Sequence, residues 1–121
     1  LRGHAIECRL NAEDPFTFMP SPGTITRWDL PGGPGIRVDT HVVAGYTVQP
    51  YYDSLIGKII SHGATRAEAI ARMRVALAEM KVEGVATNIA LHQDLLADPM
   101  FGRGGVDIHY LERWLAHRTA P

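Results

Sequence analysis

The sequence predicts an α+β domain: an antiparallel sheet with about three helices on one side of it. Three observations carry that prediction. Six of the eight prolines and seven of the twelve glycines fall in residues 1–60, so the first half is rich in turns. Between those breakers, short runs of alternating apolar and polar residues recur at the close intervals of an antiparallel sheet. After Gly63 the apolar period lengthens from two to between three and four, the spacing of an amphipathic helix.

Taken in order, residues 4–11 alternate, with Ile6, Cys8 and Leu10 on one face and Ala5, Glu7, Arg9 and Asn11 on the other, the pattern of a half-buried strand. Asn11-Ala12-Glu13-Asp14-Pro15 reads as a turn or helix start, and Pro20-Ser21-Pro22-Gly23 as a second breaker. A short strand is expected over residues 24–29, then a loop at Pro31-Gly32-Gly33-Pro34-Gly35. Residues 36–43 alternate again, Ile36, Val38, Thr40 and Val42 opposing Arg37, Asp39, His41 and Val43. Gly45 and Pro50 bracket a brief extended piece at Thr47-Val48. Residues 54–62 are apolar on both faces except for Lys58, which predicts a central strand. Thr65 with Glu68 makes a capping box, and Ile70, Met73, Leu77 and Met80 extend a helix from about 65 to 82, closed by Gly84. Asn88 is placed to cap a second helix bearing Leu91, Leu95 and Leu96 and stopped at Asp98-Pro99. After the loop at residues 102–105, Asp107 opens an expected last helix with Ile108, Leu111 and Leu115.

The 121 residues and 13.3 kDa fit one domain. A chain of this length buries roughly 65% of its unfolded surface, enough for a core without staples. Hydrophobic residues at 45% and charged residues at 21% describe a globular chain, and a net charge of −1 argues against a broad electrostatic grip on nucleic acid or anionic membrane. The single cysteine, Cys8, cannot close an internal disulfide, and no apolar run has the length of a membrane span. A soluble domain from a reducing compartment is expected. The opening Leu1-Arg2-Gly3-His4, without Met and almost at once strand-like, reads as a piece of a longer protein.

Candidate chemistry is sparse. Gly57-Lys58 fails the phosphate-loop pattern, because position 52 is Tyr where that pattern needs Gly and position 59 is Ile where it needs Ser or Thr. Ala78-Glu79-Met80-Lys81-Val82 resembles the tetrad around the modified lysine of biotinyl and lipoyl carriers, but Lys81 is expected at a helix end, where a cation suits the dipole, and not on a hairpin tip. The histidines at 4, 41, 62, 92, 109 and 117 have no metal-binding spacing, so no metal site is expected. Cys8 belongs to the apolar face, as a core residue rather than a nucleophile. Arg9 is the strongest candidate: mid-strand on the polar face, between Glu7 and Asn11, its fork can serve an anion or a developing oxyanion. Spacing alone more often means a solvated strand with an ion pair worth ~0–1 kcal/mol. Arg37, directly after the Gly-rich loop, suits either an interface or solvent. Tyr51, Tyr52 and Asp53 form a polar-aromatic cluster suited to a core edge or an interface.

Several blocks together resemble one family. Arg2-Gly3-His4-Ala5-Ile6-Glu7-Cys8-Arg9-Leu10-Asn11-Ala12-Glu13-Asp14-Pro15 is similar to the opening of the C-terminal domain of biotin carboxylase. The similarity continues through Pro20-Ser21-Pro22-Gly23, Gly32-Gly33-Pro34-Gly35-Ile36-Arg37, Ala44-Gly45-Tyr46-Thr47-Val48 and Tyr51-Tyr52-Asp53-Ser54-Leu55-Ile56-Gly57-Lys58. It closes with Glu83-Gly84-Val85-Ala86-Thr87-Asn88 and Asp107-Ile108-His109-Tyr110-Leu111-Glu112. Gln49 departs from the family, which usually has Pro there; the change falls in a loop.

The resemblance implies that residues 1–121 are one domain, of the type described as a rudiment of a barrel-sandwich hybrid, from an ATP-grasp ligase. Such an enzyme uses ATP, Mg2+ or Mn2+ and bicarbonate to make carboxyphosphate, then carboxylates N1′ of biotin held on a carrier protein. It implies that Arg9 is the active-site arginine beside bicarbonate and the biotin ureido oxygen. The resemblance implies Arg37 and Pro34 at a homodimer interface, and Asp53 as a substrate-binding residue near that interface and the biotin end of the site. Implied partners are the N-terminal and ATP-grasp domains of the same chain, biotin carboxyl carrier protein and carboxyltransferase subunits, with neither nucleic acid nor membrane. The nucleotide-binding parts lie upstream in such enzymes, so this stretch alone is expected to bind no cofactor and to be inactive. The end at Arg118-Thr119-Ala120-Pro121, without a linker to a carrier, favours a cytoplasmic, free-standing subunit of acetyl-CoA carboxylase in fatty acid synthesis. Propionyl-CoA, pyruvate or another acyl-CoA carboxylase is the alternative. From other classes, a carrier modified at Lys81 and a pure dimerisation module stay open.

Overall fold

The strand that the sequence marks as central is central. In the computed structural model, which describes residues 3–50 and 54–98, strand β1 (His4–Asn11) pairs antiparallel with the Leu55–Gly63 strand, which pairs on its other side with a strand at Ile36–Asp39. In chain order the elements are β1, β2 (Gly23–Thr24), β3 (Arg27–Asp29), β4 (Ile36–Asp39), β5 (Thr47–Val48), β6 (Leu55–Gly63), α1 (Arg66–Glu79), β7 (Lys81–Glu83) and α2 (Ile89–Ala97). The main sheet runs β1-β6-β4; β2 pairs with β5 and β3 with β7, all antiparallel. The expected α+β class with antiparallel sheets holds. Two helices lie among the described residues, and the helix expected to open at Asp107 lies outside them.

One face of the main sheet meets α1. Ile6, Cys8 and Leu10 from β1 and Ile59 from β6 are buried there against Ala69, Ile70, Met73, Ala76 and Leu77. The approach is close: the Ser61 hydroxyl, fully buried, donates to Ala69 O at 2.8 Å, replacing its lost water. Thr65 caps α1 as the sequence predicts, its hydroxyl accepting from the Glu68 amide at 3.1 Å. Cys8 is 4% exposed, and burial together with the charge of Glu7 pushes its thiol from 9.0 up to about 12. A thiol both buried and held protonated predicts that a thiol reagent at pH 8 modifies the folded chain at least about 10³-fold more slowly than the urea-unfolded chain. Equal rates in the two states would contradict the burial.

Three expected elements are corrected. The helix expected to reach residue 82 ends at Glu79, because Met80 turns extended (φ −70°, ψ 131°) and residues 81–83 become β7. Lys81 therefore opens a strand and does not end a helix, although its Nζ still donates to the Ala78 carbonyl at 3.1 Å. The strand expected at 24–29 is two strands with different partners, joined at Ile25, which is fully buried and donates its amide to Tyr46 O at 2.8 Å. The strand expected at 36–43 stops at Asp39, since the Thr40 hydroxyl donates to Ile56 O at 2.6 Å and accepts from the Val42 amide at 3.0 Å, folding the chain into a side-chain turn.

Candidate functional site

The other face of the main sheet is polar, and register fixes its order. Arg9 of β1 lies opposite Lys58 of β6, which lies opposite Asp39 of β4; one row along, Glu7, Ile60 and Arg37 line up in the same way. The Arg9 carbonyl is bonded off the outer edge of β1, away from β6. Arg9 and Lys58 therefore form the non-hydrogen-bonded kind of antiparallel pair, with Cα atoms ordinarily about 4.5 Å apart and side chains at their closest.

Two cations are thus neighbours on this face. Among the described residues neither side chain makes a hydrogen bond or ion pair; the contact with Glu7 that the i−2 spacing offers Arg9 is not made. Asp39, the carboxylate across from Lys58, is taken by Arg37, whose Nε donates to its Oδ1 at 2.9 Å. Like charges placed directly opposite destabilise a sheet. A small anion between them would remove that repulsion and receive a forked donor from one side and an ammonium from the other.

The backbone under Arg9 is held from α2. Asn88 stands at the N-cap of that helix but makes no side-chain cap bond. Its amide, with the residue 4% exposed, reaches β1 instead: Oδ1 accepts from the Asn11 amide at 2.9 Å and Nδ2 donates to Arg9 O at 3.0 Å. His92 Nε2 lies 2.8 Å from the same carbonyl. A carbonyl can only accept, so Nε2 carries the proton, and its 3.2 Å approach to Asn88 Nδ2 is that of two donors sharing one oxygen. Burial keeps the imidazole below its ordinary value of 6.5, against the opposing influence of that bond and of Glu13.

The remaining site residues sit elsewhere. Arg37 is exposed on the same polar face. Pro34 lies away from it, in a shallow cleft with Gly33, Ile36, Arg72 and Val75. Asp53 is outside the described residues. The described residues contain no cluster of three or more His, Cys, Asp or Glu suited to a metal ion and no helix long and apolar enough to cross a membrane. Sequence reasoning dismissed Lys58 as a strand lysine and read Asn88 only as a cap; the one signal for Lys58 was its place as the sole charge in an otherwise apolar strand.

One face of the main sheet carries the neighbouring cations Arg9 and Lys58, and the other is closed by α1. Residues 7–113 match the family model of the biotin carboxylase C-terminal domain. The chain is 60% identical over 115 residues to biotin carboxylase of Pseudomonas aeruginosa, covering 95% of this chain and 26% of that protein. To a pyruvate carboxylase subunit of Methanothermobacter thermautotrophicus it is 46% identical over 115 residues, 94% of this chain and 23% of the relative. Among solved structures, a complex of biotin carboxylase with β,γ-ATP from Campylobacter jejuni superposes with a TM-score of 0.90 at 43% identity, over 93% of this chain and 25% of that one. The biotin carboxylase domain dimer of Hydrogenobacter thermophilus 2-oxoglutarate carboxylase, in complex with MgADP, ADP and bicarbonate, gives 0.92 at 42% identity over 99% of this chain and 27% of the other. This chain belongs to the biotin carboxylase C-terminal domain family. It spans about a quarter of the length of the relatives it matches.

Proposed function

We propose that residues 1–121 form the C-terminal domain of a longer ATP-grasp ligase that carboxylates biotin on a carrier protein with ATP and bicarbonate, and that Arg9 is this domain's contribution to the chemistry. The observation that carries the assignment is the side-by-side pair Arg9 and Lys58, both without a counter-charge among the described residues. As a general base of the upstream ATP-grasp portion takes the proton from the biotin ureido N1′, negative charge spreads to the ureido oxygen. The Arg9 fork donates to that oxygen, the nitrogen attacks the carboxyl carbon derived from carboxyphosphate, and phosphate leaves. Lys58 adds positive potential beside the same anions. A charge-assisted bond of this kind is worth about 1.5–3 kcal/mol. Mg2+ or Mn2+ and the nucleotide belong to the ATP-grasp portion in this reading, and Asp53 lies at the biotin end of the site.

The proposal extends to a cytoplasmic homodimer meeting its partner through Arg37 and Pro34, working with biotin carboxyl carrier protein and carboxyltransferase subunits. Acetyl-CoA carboxylase is the preferred owner, supported by the higher identity to the Pseudomonas biotin carboxylase than to the Methanothermobacter pyruvate carboxylase chain. Two measurements test the reading. The full-length enzyme should carboxylate biotin with bicarbonate and MgATP while residues 1–121 alone hydrolyse no ATP; turnover by the isolated domain would overturn the division of labour. Arg37→Glu should weaken self-association of the full-length enzyme by about tenfold or more in analytical ultracentrifugation, and an unaltered dissociation constant would remove Arg37 from the interface.

A further inference from the structure

Asn88 is a residue type suited to capping, at a capping position, yet its side chain caps nothing. What its amide does is continue the ladder of β1. At Leu10/Asn11 the β1–β6 register shifts, so pairing with β6 loses its regularity one residue beyond Arg9. On the opposite edge, Asn88 Oδ1 takes the Asn11 amide and Nδ2 supplies the Arg9 carbonyl, the two bonds a neighbouring strand would make, while the Asn88 backbone amide donates to Asn11 O at 3.3 Å. His92, one helical turn further, adds a second donor to the Arg9 carbonyl at 2.8 Å. Three polar groups thus converge on the Arg9 carbonyl and on the amide and carbonyl of Asn11 two residues on, beneath a side chain that makes no bond of its own among the described residues.

We propose that Asn88 and His92 are positioning residues for Arg9: they lock its backbone where the sheet register slips, so that a guanidinium with no partner among the described residues keeps one direction. The inference rests on the reading of Arg9 as the residue that meets the ureido oxygen. A long side chain amplifies a small backbone rotation, and a displacement of about 1 Å at a reacting group can cost about 10²-fold in rate.

The test is a double-mutant cycle in the full-length carboxylase, measuring biotin carboxylation beside the bicarbonate-dependent ATP hydrolysis that runs without biotin. Asn88→Asp keeps the acceptor for the Asn11 amide but sets a lone pair against the Arg9 carbonyl. It should lower kcat for biotin carboxylation by about 10–100-fold and lower biotin-independent ATP hydrolysis by a smaller factor. In an Arg9→Ala background the same change should cost less than about twofold, because the group it positions is gone. His92→Leu, at a half-buried position, should follow the same pattern with a smaller loss and serves where Asn88→Asp does not fold. Equal losses in both backgrounds, or no loss from either variant in the parent, would overturn the inference while Arg9 kept its role. If Arg9→Ala alone left carboxylation unchanged, the reading of Arg9 would fall and the inference with it.

Discussion

Replacing Arg9 with alanine in the full-length carboxylase should lower the rate of biotin carboxylation by about 10²–10³-fold, the usual effect of removing one oriented donor from a developing oxyanion. Three features of the site make the effect large. The side chain stands on a strand whose opposite face is buried under α1, so its base is rigid. No partner among the described residues competes for its fork, so the full donor capacity is available to the reaction. In the proposed role its neighbour Lys58 cannot substitute, since an ammonium presents a point charge in place of a planar fork. Arg9→Lys should therefore recover only part of the loss. Folding should be unaffected, because Arg9 is exposed and the alteration relieves a like-charge contact with Lys58. Carboxylation within threefold of the parent in Arg9→Ala would leave this face a solvated surface.

The largest expected effect on stability is at Gly84. Its φ of +104° is unfavourable for a residue with a Cβ, and a Cβ built there runs into the Thr24 carbonyl and lies 3.0 Å from the Thr26 amide. Both obstacles are backbone, and both belong to the segment that passes from β2 to β3, so relief requires moving the strand that pairs with β7. Left-handed strain of about 1–2 kcal/mol and overpacking of about 1–3 kcal/mol give Gly84→Ala a cost of about 2–5 kcal/mol. Loss of unfolded-state entropy returns only about 0.4–1 kcal/mol. Gly45 supplies the control: its φ is +93°, but nothing lies within 4 Å of its Cβ position. Gly45→Ala should cost only the strain, about 1–2 kcal/mol. Urea unfolding of the two variants separates the terms, and equal losses would show that collision with Thr24 contributes nothing.

Elements with a local signature were legible in the sequence. Alternation placed β1 and β6 and their buried faces, and the capping box placed the start of α1, because period and cap chemistry act within a few residues. What escaped depends on partners far along the chain. Nothing local to Met80-Lys81-Val82 announces that Arg27 will pair with Glu83, so the helical period ran past its true end. Thr24 and Arg27 look like one strand until one pairs with Thr47 of β5 and the other with Glu83 of β7. The site followed the same rule. Arg9 was identifiable as a polar-face arginine, but its chemistry came from the resemblance. Lys58 became its neighbour only once register was known. Asn88 was correctly placed at the head of a helix, yet its amide serves a residue 79 positions earlier.

The bonds from Asn88 and His92 also bear on how the domain behaves in company. β1 is an outer strand of the main sheet, and an outer strand with free amides and carbonyls invites a foreign strand to add. The Arg9 carbonyl and the Asn11 amide and carbonyl are already bonded to Asn88 and His92, so a second chain meeting this edge finds no continuous row to pair with. The grip that steadies the arginine also blunts this stretch as a seed for aggregation.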